Sequence, residues 1–110
     1  MTSEEFKSLM KKAEEIRQGM YNLIGEDILT EVKRLIAEGK CDEKQRIHIE
    51  DCGLYEADAE EVQGEMDGFM MEWIFIDSDG LNFGNGYGDW VIEDFEQEDL
   101  IRMLEDLRKR

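Results

Sequence analysis

Proline is absent from the 110-residue sequence, so no helix or strand meets its strongest breaker. Lys and Arg are absent from a 55-residue span, 47–101, that carries seventeen of the 29 acidic residues. Histidine occurs once (His48), cysteine twice (Cys41 and Cys52) and serine three times (Ser3, Ser8 and Ser78). These scarcities exclude several chemistries. Two cysteines eleven positions apart with a single histidine fit no zinc spacing. Nothing signals a Ser-His-Asp arrangement. On one strand His48 and Cys52 lie roughly 13 Å apart, too far for a Cys–His nucleophile pair. No run reaches the roughly 18 apolar residues of a membrane span, and the opening MTSEEFKSLM has no apolar signal core. The expected compartment is the cytoplasm, with both thiols reduced.

What is present is charge, and it is segregated. The formal charge is −16. Residues 1–46 carry nine basic and ten acidic groups, and residues 102–110 four basic and two acidic, so the middle span alone holds −17. A field of this kind repels nucleic acid and anionic membranes and attracts basic partners. A chain of this length is expected to form one domain, 1–110, with a core large enough to need no staples.

Taken in order, Phe6, Leu9, Met10, Ala13, Ile16, Met20, Tyr21 and Ile24 recur at three- and four-residue steps and predict an amphipathic helix over 3–24. Thr2 and Glu5 stand at capping-box spacing, and Gly25 is the expected stop. The apolar stripe reads as core, with a partner-binding face as the alternative. Ile28, Leu29, Val32, Leu35 and Ile36 predict a second helix, 26–38, closed by Gly39, and the short junction implies a helical hairpin. Gln45–Glu50 alternates and reads as a strand, with His48 on its polar face. Residues 51–68 admit a short acidic helix over 57–63, a second strand or a mobile loop, and are read as a loop with one helical turn leading towards a strand near Val62. Phe69–Asp77 is apolar on both sides and predicts a central strand. Asp77–Gly80 and Gly84–Asp89 are turn signals, Trp90–Ile92 a short strand, and 96–109 a final helix, with Phe95 and Leu100 at staple spacing.

Two fragments invite a ligand. Asp77, Asp79 and Gly80 begin like an EF-hand loop, but the twelfth position is Gly88 where a bidentate Glu is needed. Asp77, Asp79 and Asp89 remain weak metal candidates. Gly84, Gly86 and Gly88 suggest a phosphate cradle, but a strand-like segment follows instead of a helix, and the local charge opposes an anion.

The expectation is an α+β domain: an N-terminal helical hairpin, an antiparallel sheet of three to four strands, and a C-terminal helix on one sheet face. The expected function is a non-enzymatic interaction or regulatory module, without cofactor, catalytic residue or direct nucleic-acid binding. Its anionic 47–101 surface, and in particular Glu56, Asp58, Glu60, Glu61, Glu65 and Asp67, would dock a basic protein partner. The alternatives are a DNA/RNA mimic, which needs carboxylates in rows at phosphate-like spacing, and a divalent-cation or enzymatic site near 77–89.

Overall fold

A computed structural model describes residues 1–110. The elements in chain order are helix α1 (Ser3–Ala37), strands β1 (Ile47–His48), β2 (Glu60–Val62), β3 (Glu65–Asp67), β4 (Trp73–Asp77), β5 (Gly80–Asn85) and β6 (Gly88–Trp90), and helix α2 (Gln97–Lys109). Short 3-10 turns lie at Glu50–Cys52 and Ile92–Asp94. The main sheet is antiparallel in the order β1-β4-β5-β6, and β2 with β3 makes a separate two-stranded ribbon. The fold is α+β, with two helices and a four-stranded antiparallel sheet.

The expected helical hairpin is corrected: α1 is one unbroken helix of 35 residues. A glycine inside a helix weakens it by about 1 kcal/mol but does not force a stop. Tyr21, Ile24, Ile28, Val32 and Leu35 form one continuous face through Gly25, four of them buried and Ile24 half-buried, so packing on both sides carries the helix across. The true stop is Gly39. Its amide bonds to Ile36 and that of Lys40 to Leu35, the paired bonds of a Schellman motif, with Gly39 at φ 73°. At the other end the Glu5 amide donates to Thr2 Oγ1 at 3.2 Å, as the cap spacing implied.

The expectation that the first apolar stripe is core is also corrected. No residue before Tyr21 is buried. Phe6, Leu9, Met10, Ile16, Met20 and Leu23 are all exposed, and the first half of α1 overhangs the body. The molecule measures 55 × 37 × 25 Å, the longest extent close to the roughly 52 Å of a 35-residue helix.

The core gathers the second half of α1, the inner face of α2 and one face of the sheet. Ile47, Ile74 and Phe83 stand side by side across β1, β4 and β5, with half-buried Trp90 next on β6. Leu100, Met103, Leu104 and Leu107 close it from α2. Phe95 and Leu100 are both buried at the start of α2, the staple positions around its cap Glu96. As expected, β4 is interior, flanked by β1 and β5. Its opposite face is covered by side chains rather than by a layer, and Trp73 and Phe75 are only half-buried there.

Candidate binding surface

The segment read as an acidic loop is a ribbon. Met71 bonds to Leu54 and Glu56 to Phe69 through the main chain, Tyr55 bridges Met70, and β2 pairs with β3 beyond them. Gln63 (φ 55°) and Gly64 (φ 84°) both adopt the left-handed region at its tip, the backbone of a type I′ hairpin turn. Gln63 in place of the usual Asn before the glycine hid that turn from the sequence reading. The base of the ribbon is anchored where Ala57 donates to the Asp94 carbonyl. Gly68 (φ 140°) lies so close to Ala59 that a side chain there would collide with it.

The six expected partner-binding acids all fall on this ribbon. Glu60, Glu61, Glu65 and Asp67 are exposed on its two strands, Asp58 is exposed on the approach, and Glu56 is half-buried at the base. Glu60 stands directly opposite Asp67 and Val62 opposite Glu65, so three carboxylates share one face. Like charges paired across strands destabilise a ribbon. No Lys, Arg or His forms an ion pair with any of the six. Of the seventeen acids in 47–101 only Glu50, Asp51 and Asp99 have a cationic partner.

Paired cations cluster instead around Arg46 and Arg110, while Arg102 lines a hollow with Glu56 at the ribbon base without pairing to it. Arg34 pairs with Glu31 and Glu38, Arg46 with Asp42, and Arg110 with both Asp51 and Asp106. His48 lies there too. Its Nε2 is 2.8 Å from Asp42 and its Nδ1 3.1 Å from Glu50, so both ring nitrogens face a carboxylate. These contacts, Glu50 first, raise its pKa above the ordinary value. Partial burial opposes ionisation of Asp42, but the Arg46 amide, His48 and the Arg46 guanidinium outweigh it and hold the carboxyl well below its usual range. The sequence placed His48 on the polar side of its strand correctly and missed that it is an ion-paired group.

Beside the ribbon the chain exposes aromatic surface. Phe69, which follows the ribbon directly, lies 5.4 Å from Tyr87 and 5.3 Å from Trp90 between ring centroids. Tyr87 is 85% exposed. It is held at the tip of the β5–β6 hairpin by Asn85, whose side-chain oxygen accepts from the Tyr87 and Gly88 amides while its nitrogen donates to the Met70 carbonyl. Thus the turn within Gly84–Asp89 leaves an aromatic ring exposed. The sequence reading missed Phe69, Tyr87 and Trp90 as a group. The signal available was a tyrosine between two glycines, in a turn too short to bury it.

The weak metal candidates are not brought together. Asp77 faces Gly80 and Asp89 faces Gly84 across the sheet, four residues apart on β5 and therefore on the order of 13 Å. Asp77 already accepts from the Asp79 amide at 2.8 Å, closing the turn. The group whose ligand atoms do converge is Asp51, Cys52 and Asp106, all within 4.8 Å. Arg110 fills it by pairing with both carboxylates. Burial, with the Asp106 carboxylate adding to it, pushes the Cys52 thiol up to about 12, so it does not supply a thiolate at neutral pH.

Compared with protein-family models, curated proteins and solved structures, the chain matches none. No helix is long and apolar enough to cross a membrane.

Proposed function

We propose that this chain is a non-enzymatic interaction module that docks a basic segment of a partner protein on the acidic ribbon and the adjoining aromatic patch. The observation that carries this reading is the ribbon itself: six carboxylates without a cationic partner, next to exposed Phe69 and Tyr87 and the half-buried Trp90 beneath them. Carboxylates supply long-range attraction for Lys and Arg. Aromatic faces then give the same side chains a short-range contact, each worth about 0.5–1 kcal/mol at an exposed site. A bound cation would also relieve the Glu60–Asp67 opposition.

The test is calorimetric titration with Lys- and Arg-containing peptides at low and high salt. Binding that weakens with salt, is lost in the combined Glu60→Gln, Glu61→Gln, Glu65→Gln and Asp67→Asn variant, and survives Glu14→Gln with Glu15→Gln supports the ribbon. Binding that Tyr87→Ala also weakens ties the aromatic patch to it. No binding to any basic peptide at low salt, or equal losses from the remote pair, removes the proposal.

A further inference from the structure

The overhanging half of α1 carries a seam. Phe6, Leu9, Ala13, Ile16, Met20 and Leu23 follow alternating steps of three and four residues over three heptads. That is a 3.5-residue repeat, the spacing of a coiled-coil seam, and its exposure shows that it packs on no core of its own chain. The seam and the core face are separate stripes, roughly a quarter-turn apart around the helix. At Met20 and Tyr21 the two faces lie one residue apart: Tyr21 turns into the body, 3% exposed, and Met20 remains 43% exposed.

We propose that this seam pairs with a second copy of the same chain, antiparallel, to form a symmetric dimer. Three observations select that occupant and direction. The first is area. Phe6, Leu9, Met10, Ile16, Met20 and Leu23 are between 43% and 70% exposed. Burying them removes on the order of 600 Å² per copy, and neighbouring side-chain stems bring this towards the ~800 Å² per partner of a stable interface. The second is size matching. With the axis between residues 14 and 15, Phe6 meets Leu23 of the second copy, Leu9 meets Met20, and small Ala13 meets Ile16. A parallel pair would set Ala13 against Ala13 and leave a thin layer.

The third is charge. Residues 1–12 hold Lys7, Lys11 and Lys12 against Glu4 and Glu5, while residues 13–27 hold Glu14, Glu15, Glu26 and Asp27 against Arg17. Centred between residues 14 and 15, the antiparallel arrangement sets Lys7 and Lys11 level with the uncharged Asn22 and Gln18 of the second copy, and Lys12 and Arg17 on opposite sides of the seam. A parallel pair would face Lys12 with Arg17, the flanking positions of successive heptads. It would also place two −17 spans side by side. Antiparallel helices hold the Tyr21 positions, where each helix enters its body, about 20 Å apart, more than two Debye lengths at ~8 Å each. The polar side of the helix mixes both signs, unlike the Lys/Arg-rich face of a helix that lies on anionic lipid.

The test is the mass of the full chain by light scattering and sedimentation over a concentration series. The expected result is a reversible dimer whose association Ile16→Glu weakens at least about a hundredfold. Ile16 belongs to neither the core nor its flanks, so the unfolding of the body in that variant should match wild type. Orientation follows from mild oxidation of two cysteine variants compared with the unsubstituted chain. Antiparallel helices hold the copies of residue 13 near the axis and those of residue 9 about 16 Å apart, beyond disulfide reach. Ala13→Cys should crosslink and Leu9→Cys should not. A wild-type chain monomeric at about 100 µM, an unchanged mass for Ile16→Glu, or a monomer that binds phosphatidylglycerol vesicles through this face overturns the dimer. Efficient crosslinking of Leu9→Cys overturns its direction.

Discussion

The hydroxyl of Tyr21 donates a hydrogen bond to the main-chain carbonyl of Phe95, 74 positions later. Tyr21 is the first buried residue of α1, and Phe95 precedes the cap of α2. This bond marks where the overhanging helix enters the body. Tyr21→Phe keeps the ring and removes the donor, leaving a buried carbonyl without that partner. The expected loss is about 1–3 kcal/mol of stability, read as a lower urea midpoint at unchanged slope. A variant as stable as wild type would show that the carbonyl finds water instead.

His48 makes the protein's stability depend on pH on the alkaline side. Its folded pKa is raised above 6.5 by Glu50 and Asp42. The ion-paired form therefore contributes fully below 6.5 and is lost as pH rises through the higher folded value. The carboxyls act in the opposite sense. Asp42 and Glu50 are lowered from 3.8 and 4.5, so their contribution is present above those values and lost as pH falls. The cluster is thus most stabilising between the carboxylate range and 6.5. Urea unfolding at pH 6 and pH 8.5 should show a decline that His48→Gln flattens. A histidine proton resonance titrating at or below 6.5 in the folded protein would contradict it.

Trp73 lies across Gly84 on the outer face of the sheet. A Cβ built at Gly84 would stand 2.5 Å from the indole nitrogen and 3.0 Å from the Asp89 carboxylate. The ring is fixed on its other side by Arg46, whose guanidinium sits 4.1 Å from its centroid. Gly84→Ala must therefore displace the indole and break that stack. The expected result is a red-shifted tryptophan emission and a loss of about 1–3 kcal/mol. The same substitution at Gly86, where nothing lies within 4 Å, should leave both nearly unchanged.

The sequence made elements legible where periodicity coincided with burial. Alternation of Ile47 and Ile49, the apolar run to Asp77, the Gly39 stop and the face of α2 all report contacts that close within a few residues. It misled where one local signal carried two meanings. Gly25 can end a helix or be carried through one, and the choice depends on Ile28, Val32 and Leu35 packing against α2. The stripe of Phe6 to Met20 fits a core or an external partner equally well, and only the position of the body separates them. Likewise the acids at 56–67 were visible as composition. Their assembly on a ribbon beside Phe69, Tyr87 and Trp90 required the pairing of β2 with β3 and the turn held by Asn85.

Continuity of α1 has a direct test at Gly19. Nothing lies within 4 Å of a Cβ built there, and residues 3–17 are exposed throughout. Alanine therefore meets no obstacle and favours the helix by up to about 1 kcal/mol. Because the overhang is not buried against the body, the gain should be local. The expected outcome is greater far-UV ellipticity and slower amide exchange in residues 3–17, with little change in the unfolding of the body. Gly25→Ala should gain less, since its Cβ would come within 3.3 Å of the Ile92 side chain. If the chain instead broke into two helices near these glycines, alanine at both positions would lower stability by removing the residues that permit the turn.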